Sequence, residues 1–280
     1  MVKKHIHILL ALITVLCVVL TGCEVIGQDS QLIYLDTITA QDIPAENTKR
    51  HLLIDYTGVN CVNCPRAAET AHELQTIYPN LIVVAMHPAS NPFTKAAAKY
   101  DYTCAEADTY YKFMGGLPTT PFPTGNLDFT ATDNNYLTDN STWATAVHAV
   151  QKDTALVRMS VITQWQDQKL QVQYTLRLME EQERAVDILL WIIENNIIGA
   201  QNMPDGTLNM NYTHQHMLRA SLNGEWGDAV TLHPGEDTPH KALYSLSDKW
   251  VLNNCQLVVV VLDHNNHQLL NAHEVAIPNK

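Results

Sequence analysis

The sequence predicts an α/β domain followed by an all-β domain, and three observations carry this prediction. Before about residue 152, short apolar runs with β-branched residues alternate with segments of helical period, which is the pattern of βαβ units. After it, nearly every segment reads as a strand, and turn signals separate the strands. The 280 residues also exceed the ~100 to 150 that one domain usually takes. We therefore place the α/β domain at residues 32–152 and the all-β domain at residues 153–280.

The amino-terminal residues 1–22 read as the signal peptide of a bacterial lipoprotein. Two lysines near the start precede an apolar stretch at residues 8–20, and Leu20-Thr21-Gly22-Cys23 fits the lipobox that is cut before its cysteine. The apolar stretch is shorter than the ~20 residues of a transmembrane helix; an uncleaved anchor is the alternative. The mature chain would begin at lipidated Cys23, residues 23–31 would form a polar tether, and the lipid would attach the protein to a membrane.

The charge of the chain excludes one class of partner. There are 17 Lys and Arg against 29 Asp and Glu, and loss of the two lysines of the signal peptide leaves 15 against 29, a net charge of −14. Nucleic-acid binding needs clustered Lys and Arg to contact phosphates, and the sequence has no such cluster. It also has no G-x-S-x-G, P-loop or G-x-G-x-x-G motif. We therefore predict no nucleic-acid partner and no cofactor.

The first domain is organised around the segment 52–74. A β-prone run at its start leads through a turn to Cys61-Val62-Asn63-Cys64-Pro65, after which apolar residues recur at helical spacing until Pro79. Cys61 therefore lies at or near a helix N-terminus, where unpaired N–H groups and the helix dipole favour a thiolate. Cys64 lies about one turn further on, close enough to form a disulfide with Cys61 or to resolve a mixed disulfide.

The rest of the first domain is predicted to contain a buried parallel strand, two helices, a strand, a hairpin turn and a closing helix, at residues 81–86, 95–102, 105–114, 126–129, 133–135 and 141–150. Ser141 is a plausible N-cap of the closing helix. The loop before the strand at 126–129 contains three prolines, Pro118, Pro121 and Pro123.

The second domain contains seven strand candidates, at residues 155–165, 170–178, 185–194, 210–222, 242–246, 257–263 and 269–277. Apolar and polar residues alternate clearly in the second of them, which predicts one buried face and one wet face. Several short strands separated by turns favour an immunoglobulin-like β-sandwich.

The segment IDYTGVNC resembles the VDFWA-x-WC segment of the thioredoxin fold, with Asp55 six positions before Cys61. The resemblance implies that Asp55 is a buried carboxylate behind the cysteine pair and the proton acceptor for Cys64. It also implies a cis-proline opposite the cysteines, at which a protein or peptide substrate would dock on Phe122 and Pro123; Pro121 is the second choice. Asn60 replaces the tryptophan of that family and Val62-Asn63 replaces Gly-Pro, so the redox potential of the family does not carry over to this chain.

A closer resemblance is to the outer membrane protein 28 family of Bacteroidota lipoproteins. It is carried by TG-x-x-C-x-NCP around the cysteines, by Pro123-Thr124-Gly125, and by segments at 212–219 and 226–227. This resemblance implies an outer-membrane lipoprotein of the cell envelope, on the periplasmic or the surface face. The resemblance also relates the chain to proteins that are described as surface proteins and possible adhesins.

Two functions therefore stay open. The first is thiol-disulfide exchange on envelope or surface proteins, with Cys61, Cys64 and Asp55 as catalytic residues. The second is a non-enzymatic surface receptor or adhesin, in which the α/β domain is a scaffold, the cysteine pair is a structural disulfide and the sandwich binds a partner.

Other cysteines and histidines leave further alternatives. Cys104 and Cys255 could form a second disulfide, although sequence cannot fix the pairing. A zinc or copper site can be imagined among five side chains, but an edge lined with hydrogen-bonded histidines is the simpler interpretation, so we predict no metal. The five are Glu194, His214, His216, His264 and His267.

Overall fold

The computed structural model describes residues 48–94, 101–132 and 135–280, and these belong to one compact unit. The elements follow in the order β1 (His51–Tyr56), α1 (Cys64–Ile77), β2 (Leu81–Met86), α2 (Ala105–Phe113), β3 (Thr124–Leu127), β4 (Thr138–Asp139), α3 (Trp143–Val150), β5 (Val157–Gln166), β6 (Lys169–Leu178), β7 (Arg184–Glu194), β8 (Ile197–Asn202), β9 (Leu208–His214), β10 (Met217–Ser221), β11 (Asp228–Leu232), β12 (Asp237–Tyr244), β13 (Cys255–Asp263) and β14 (Leu269–Ala276). The signal peptide, Cys23, the tether, and parts of the predicted helix at 95–102 and of the turn at 133–135 lie outside the described residues.

The strand–helix–strand unit around the cysteines forms as predicted. β1 and β2 are parallel, with Leu52 opposite Ile82, and every residue of both strands is buried. Burial on both faces explains why the two segments are continuous apolar runs instead of alternating ones. On its other side β1 pairs with β3 in the antiparallel direction, and Asp55 lies opposite Gly125.

Helices cover both faces of this unit. α1 and α3 pack on one face through a core of Leu53, Ala67, Ala71, Leu74, Leu81, Val83, Trp143 and Val147. The alternate residues of β1 and β2 face a second core, to which α2 contributes Ala107, Tyr110 and Tyr111. Both cysteines of the C-x-x-C belong to this second core, so the packing under α2 reaches the candidate site.

One sheet runs through the predicted domain boundary. Its order is β14-β13-β7-β10-β2-β1-β3-β4, with β11 also paired to β7. The junction is narrow, because β10 meets β2 only at Met217 and Ala85, where the Ala85 N–H donates to the His216 carbonyl at 2.8 Å. Strands from residues before and after 152 therefore share hydrogen bonds and one core.

The part predicted as an immunoglobulin-like sandwich contains two packed β layers. The three-stranded sheet β12-β6-β5 packs on one face of β7 and β13 through a core that includes Val172, Tyr174, Leu190, Ile192 and Val259. The second layer is the long sheet itself, which continues into the α/β part of the chain. An immunoglobulin-like sandwich domain would have two sheets of its own, so the prediction of such a domain is not confirmed.

Several predicted boundaries need correction. The single strand predicted at 210–222 is two strands, since the chain turns at Gln215 and His216, whose φ is 55°. β8 and β11 were not predicted. The strand predicted at 242–246 begins earlier, as β12, and contains Pro239. β12 is an edge strand of the three-stranded sheet, and an edge strand tolerates proline because its outer side has no neighbouring strand that would need an N–H donor.

The closing helix of the first part begins differently from the prediction. Ser141 is not its N-cap. Asp139 accepts a hydrogen bond from the Ser141 N–H at 2.9 Å and caps a short 3-10 turn, and the α-helix follows from Trp143 with Thr142 as its N-cap residue. Asp139, two residues before Ser141, supplies the acceptor for the Ser141 N–H.

Candidate functional site

Cys61 and Cys64 form a disulfide at the start of α1, with their Cα atoms 5.4 Å apart. Cys64 is the first helical residue, Asn63 is the N-cap, and Pro65 occupies the first turn, where no intrahelical N–H bond is lost. Cys61 thus precedes the N-cap by two residues. Each cysteine is only 2 % exposed, whereas Val62 between them is 43 % exposed.

Two distant segments hold the loop that leads to Cys61. The Asn60 N–H donates to the Phe93 carbonyl at 2.9 Å, and a Cβ on Gly58 would lie 2.3 Å from the same oxygen, so only glycine allows this approach. From the other side, the Gln201 amide of β8 donates to the carbonyls of Cys61 and Gly58, at 2.9 and 3.3 Å. The loop is therefore fixed by the turn after β2 and by the β8–β9 hairpin.

Asp55 lies near the end of β1, behind the disulfide, as the sequence resemblance implied. The residue is 2 % exposed, and its Oδ1 atom is buried with no hydrogen-bond partner among the described residues. Burial raises the pKa of Asp55 from 3.8 to about 7. A carboxyl of this kind exchanges its proton near neutral pH, which is the property a proton acceptor needs.

The proline loop approaches the same site. The peptide bond between Phe122 and Pro123 is cis, which confirms the choice of Pro123 over Pro121. Pro123 directly precedes β3, the strand that pairs with β1. Phe122 is only 7 % exposed and its ring packs against Tyr111 and Phe93, with ring centroids 5.8 and 5.9 Å apart. Pro123 is partly exposed, whereas Phe122 is nearly buried in an aromatic cluster.

A small cavity of about 30 Å³ lies beneath the disulfide. Asp55, Cys64, His87, Gln201 and His214 are among the residues that line it. His87 is fully buried and neither of its ring nitrogens has a hydrogen-bond partner among the described residues. Burial first, then the nearby His214 and Arg219, lowers the pKa of His87 to about 3, so its ring is neutral at physiological pH.

The other two cysteines of the described chain are free thiols, so the possible pairing of Cys104 with Cys255 is not formed. Cys104 precedes α2, its Sγ lies 3.9 Å from the Leu218 carbonyl, and Cys255 begins β13. Burial is the main cause that raises the pKa of each thiol to about 12. Neither is a nucleophile at neutral pH.

Three of the four histidines considered for a metal site have other partners, and the Nδ1 atom of the fourth, His216, is buried with no hydrogen-bond partner among the described residues. His264 Nδ1 lies 2.8 Å from Asp187 Oδ1, and His214 Nε2 lies 3.3 Å from the Ala200 carbonyl. His267 stacks on Trp226, with ring centroids 4.4 Å apart. The described residues contain no group of three or more His, Cys, Asp or Glu side chains arranged to hold a metal ion.

Comparison with known proteins gives one family. The family described as outer membrane protein Omp28 matches residues 107–280, more than half of the chain. The chain belongs to the Omp28 family. As a member of an outer-membrane protein family it is a protein of the cell envelope, and no described helix is long and apolar enough to cross a membrane. The match begins after both cysteines of the disulfide, so family membership does not itself assign them a role.

A solved structure shares the fold of this Omp28-family chain. HBP35 of Porphyromonas gingivalis superposes with a TM-score of 0.64 at 14 % identity, over 84 % of this chain and 77 % of that one. A domain of the outer membrane lipoprotein Omp28 from the same organism aligns over 44 % of this chain and 88 % of its own, with 17 % identity and a TM-score of 0.30. No curated protein sequence matches the chain.

Sequence reasoning missed Gln201 and considered His214 only as a possible metal ligand. Both come from the β8–β9 hairpin, roughly 140 to 150 residues after Cys61, and Gln201 holds that hairpin against the Cys61 loop. A single glutamine in a short strand carries no periodic or motif signal, so the sequence offers no means of finding it.

Proposed function

We propose that this protein is a lipid-anchored outer-membrane lipoprotein that exchanges disulfides with envelope or surface proteins through Cys61 and Cys64. The observation that carries the proposal is the cavity shared by Asp55 and Cys64, together with the Asp55 pKa of about 7. The strand–C-x-x-C–helix–strand order, the β3 strand preceded by Pro123, and the fold shared with HBP35 support a thioredoxin-like interpretation of this part of the chain.

The proposed exchange runs in two steps from the dithiol form. The Cys61 thiolate attacks one sulfur of a substrate disulfide; that S–S bond breaks, the other substrate sulfur leaves as a thiolate, and a mixed disulfide forms. Cys64 then gives its proton to the Asp55 carboxylate and attacks the Cys61 sulfur. The mixed disulfide breaks, the second substrate sulfur leaves as a thiolate, and the substrate has gained two electrons while the Cys61–Cys64 disulfide is restored.

The substrate would lie against Pro123 and the edge of Phe122. Val62, 43 % exposed, and Phe93, 37 % exposed, add apolar surface beside the disulfide. The hydrogen bond from the Asn60 N–H to the Phe93 carbonyl holds the loop that carries Val62 next to Phe93. An extended polypeptide with an apolar residue next to its cysteine fits such a surface, so the proposed partner is a protein or peptide.

The proposal is tested by reduction of insulin disulfides, with dithiothreitol as the source of electrons. We expect the purified protein to turn over, Cys61→Ser to lose activity by roughly a hundredfold or more because the attacking thiolate is absent, and Cys64→Ser to accumulate mixed disulfides. Cys104→Ser is the matched control, since that thiol lies outside the disulfide, and its turnover should equal that of the unmodified protein.

Undiminished turnover in Cys61→Ser would refute the proposal. A Cys61–Cys64 disulfide that resists dithiothreitol would favour the second candidate, a surface receptor or adhesin in which the disulfide only fixes the loop. The observation favouring that candidate is the 2 % exposure of both cysteines, while the hairpin beside them exposes Ile198, Leu208 and Met210 at 68, 58 and 46 %.

The lipid anchor is a separate prediction. We expect mass spectrometry of the mature protein to find a chain that begins at Cys23 and carries acyl chains, because the lipobox directs both cleavage and acylation there. Cys23→Ser should move the protein from the membrane fraction to the soluble fraction. An unmodified Cys23 in the mature chain would contradict this part of the proposal.

A further inference from the structure

A groove of about 420 Å³ opens between α1 and the β8–β9 hairpin, and it adjoins the small cavity, with which it shares Asp55 and Tyr212. Its walls are mostly apolar and come from Pro65, Ala68, Ala71, Val83, Met203 and Pro204. Volumes of this size accommodate small organic ligands, and apolar walls with a few polar groups are typical of their sites.

Asp55 is one of the residues that line this groove. Its residue is 2 % exposed and its Oδ1 atom has no hydrogen-bond partner among the described residues. Buried carboxyl groups without a partner are rare, because an unpaired buried polar group costs free energy. An opening that leads from solvent to such a group lets a ligand supply the missing donor.

The charges around the groove favour a cation beside Asp55. Glu69 of α1 is a second carboxylate. Burial first, and then the nearby Asp55 and Glu69, raise the pKa of Tyr212, a residue of β9 on the groove lining. Burial, with a contribution from His72, lowers the pKa of His216 to about 4, so this ring adds no positive charge at neutral pH. The one permanent cation on the lining is Arg66, which is exposed and also borders the shallower depression beside Asp205.

We propose that this groove binds a primary ammonium group carried on an unbranched alkyl chain, with the ammonium at the Asp55 carboxylate and the alkyl chain along the apolar walls. An ammonium donates up to three hydrogen bonds and neutralises the buried charge. A neutral alcohol of the same length would leave that charge uncompensated, and an anion would be repelled by it. The site uses no thiol chemistry, so it does not depend on the function proposed above.

The binding should depend on pH in a defined direction. Only the ionised carboxylate attracts the ammonium, so a proton and the ligand compete for Asp55, and apparent affinity should fall roughly tenfold per pH unit below about 7. The other titratable groups lining the groove or the cavity are Arg66, Glu69, His72, His87, Tyr212, His214 and His216. Burial keeps the three histidines His87, His214 and His216 neutral in the range from pH 6 to 8.

The test is calorimetric titration of the full chain, with its disulfide intact, using n-butylammonium and n-butanol at pH 8. We expect n-butylammonium to bind at least roughly tenfold more tightly than n-butanol, and Asp55→Asn to remove this preference. Asn keeps the size of the side chain and removes the charge, so a folded Asp55→Asn variant that retains the preference would overturn the proposal. Equal binding of the two probes, or binding of neither, would also overturn it.

A second pair of variants separates the groove from the carboxylate. Ala68→Leu places a larger side chain in the groove and should abolish binding of n-butylammonium, whereas Thr76→Leu, on an exposed position of the same helix, should leave it unchanged. Nα-acetyl-lysine amide distinguishes the sources of the amine: if it binds as well as n-butylammonium, the groove accepts a protein lysine, and if only n-butylammonium binds, it accepts a free alkylamine. Binding that survives Ala68→Leu would contradict the assigned location.

Discussion

Replacing Asp128 with alanine is expected to destabilise the protein by about 3 to 5 kcal/mol at pH 7, the cost of removing one partner from a buried charge cluster. Asp128 Oδ2 lies 2.9 Å from Lys49 Nζ and 2.7 Å from His51 Nδ1, and Oδ1 accepts the Leu52 N–H at 2.8 Å. The variant leaves all three donors without the carboxylate. Burial raises the pKa of Asp128, but these donors outweigh burial and hold the pKa below its usual value.

The pH dependence of this effect has a definite sign. A carboxyl whose pKa is lower in the folded state contributes stability that is fully present above the unfolded pKa of about 3.9 and is lost as the pH falls through the folded value. Urea unfolding at pH 7 should show the full loss in Asp128→Ala, and the difference from the unmodified protein should shrink below pH 4. Asp237→Ala, which breaks the exposed pair with Arg177, is the control, and its cost should be about 1 kcal/mol or less. Equal costs at the two sites would contradict the account.

Replacing Asp55 with asparagine is expected to have the opposite effect and to stabilise the protein at pH 8 by about 4 kcal/mol. The Asp55 pKa is raised from 3.8 to about 7, and each pKa unit corresponds to ~1.4 kcal/mol. A carboxyl whose folded pKa is raised does not reduce stability below pH 3.8; its cost grows between 3.8 and 7 and stays constant above that. Asparagine, which does not ionise, avoids the cost.

Urea unfolding of the disulfide form at pH 8 and pH 3.5 tests this second expectation. At pH 8, Asp55→Asn should be markedly more stable than the unmodified protein. At pH 3.5, the two proteins should have about the same stability. Asp248→Asn removes an exposed carboxylate and should change stability by less than about 0.5 kcal/mol at either pH. If Asp55→Asn unfolds at the same urea concentration as the unmodified protein at pH 8, the carboxyl is not desolvated as the structure indicates.

Local pattern was sufficient for the part of the site that is built from neighbouring residues. β1, the turn, Cys61, Cys64 and α1 are consecutive, so periodicity and the proline positions define them. Asp55 and Pro123 were placed by resemblance, and the structure finds the first buried behind the disulfide and the second cis. Each of these features depends on interactions within a short stretch of chain or on a motif that keeps its spacing.

Long-range pairing could not be predicted in the same way. β-prone apolar runs indicate that β7 and β13 are strands, but the sequence does not say what covers their two faces, which are α2 on one side and the three-stranded sheet on the other. Within the long sheet the two parts of the chain pair at one position, Met217 with Ala85, and no sequence pattern specifies a contact of one residue. For the same reason the hairpin that carries Gln201 to the Cys61 carbonyl was not predicted.

The shared sheet has a consequence for how such a chain can evolve. The Leu269 N–H donates to the Asp128 carbonyl at 3.0 Å, the Trp191 indole donates to the Tyr110 hydroxyl at 3.0 Å, and β10 borders β2, so each part of the chain completes the interior of the other. Recombination at the connection between α3 and β5 would join surfaces that had not been selected together. The cysteine-bearing part and the β-rich part are therefore expected to be inherited together and not exchanged between lineages as independent domains. Substitutions on one side of their interface should be accompanied by compensating substitutions on the other side.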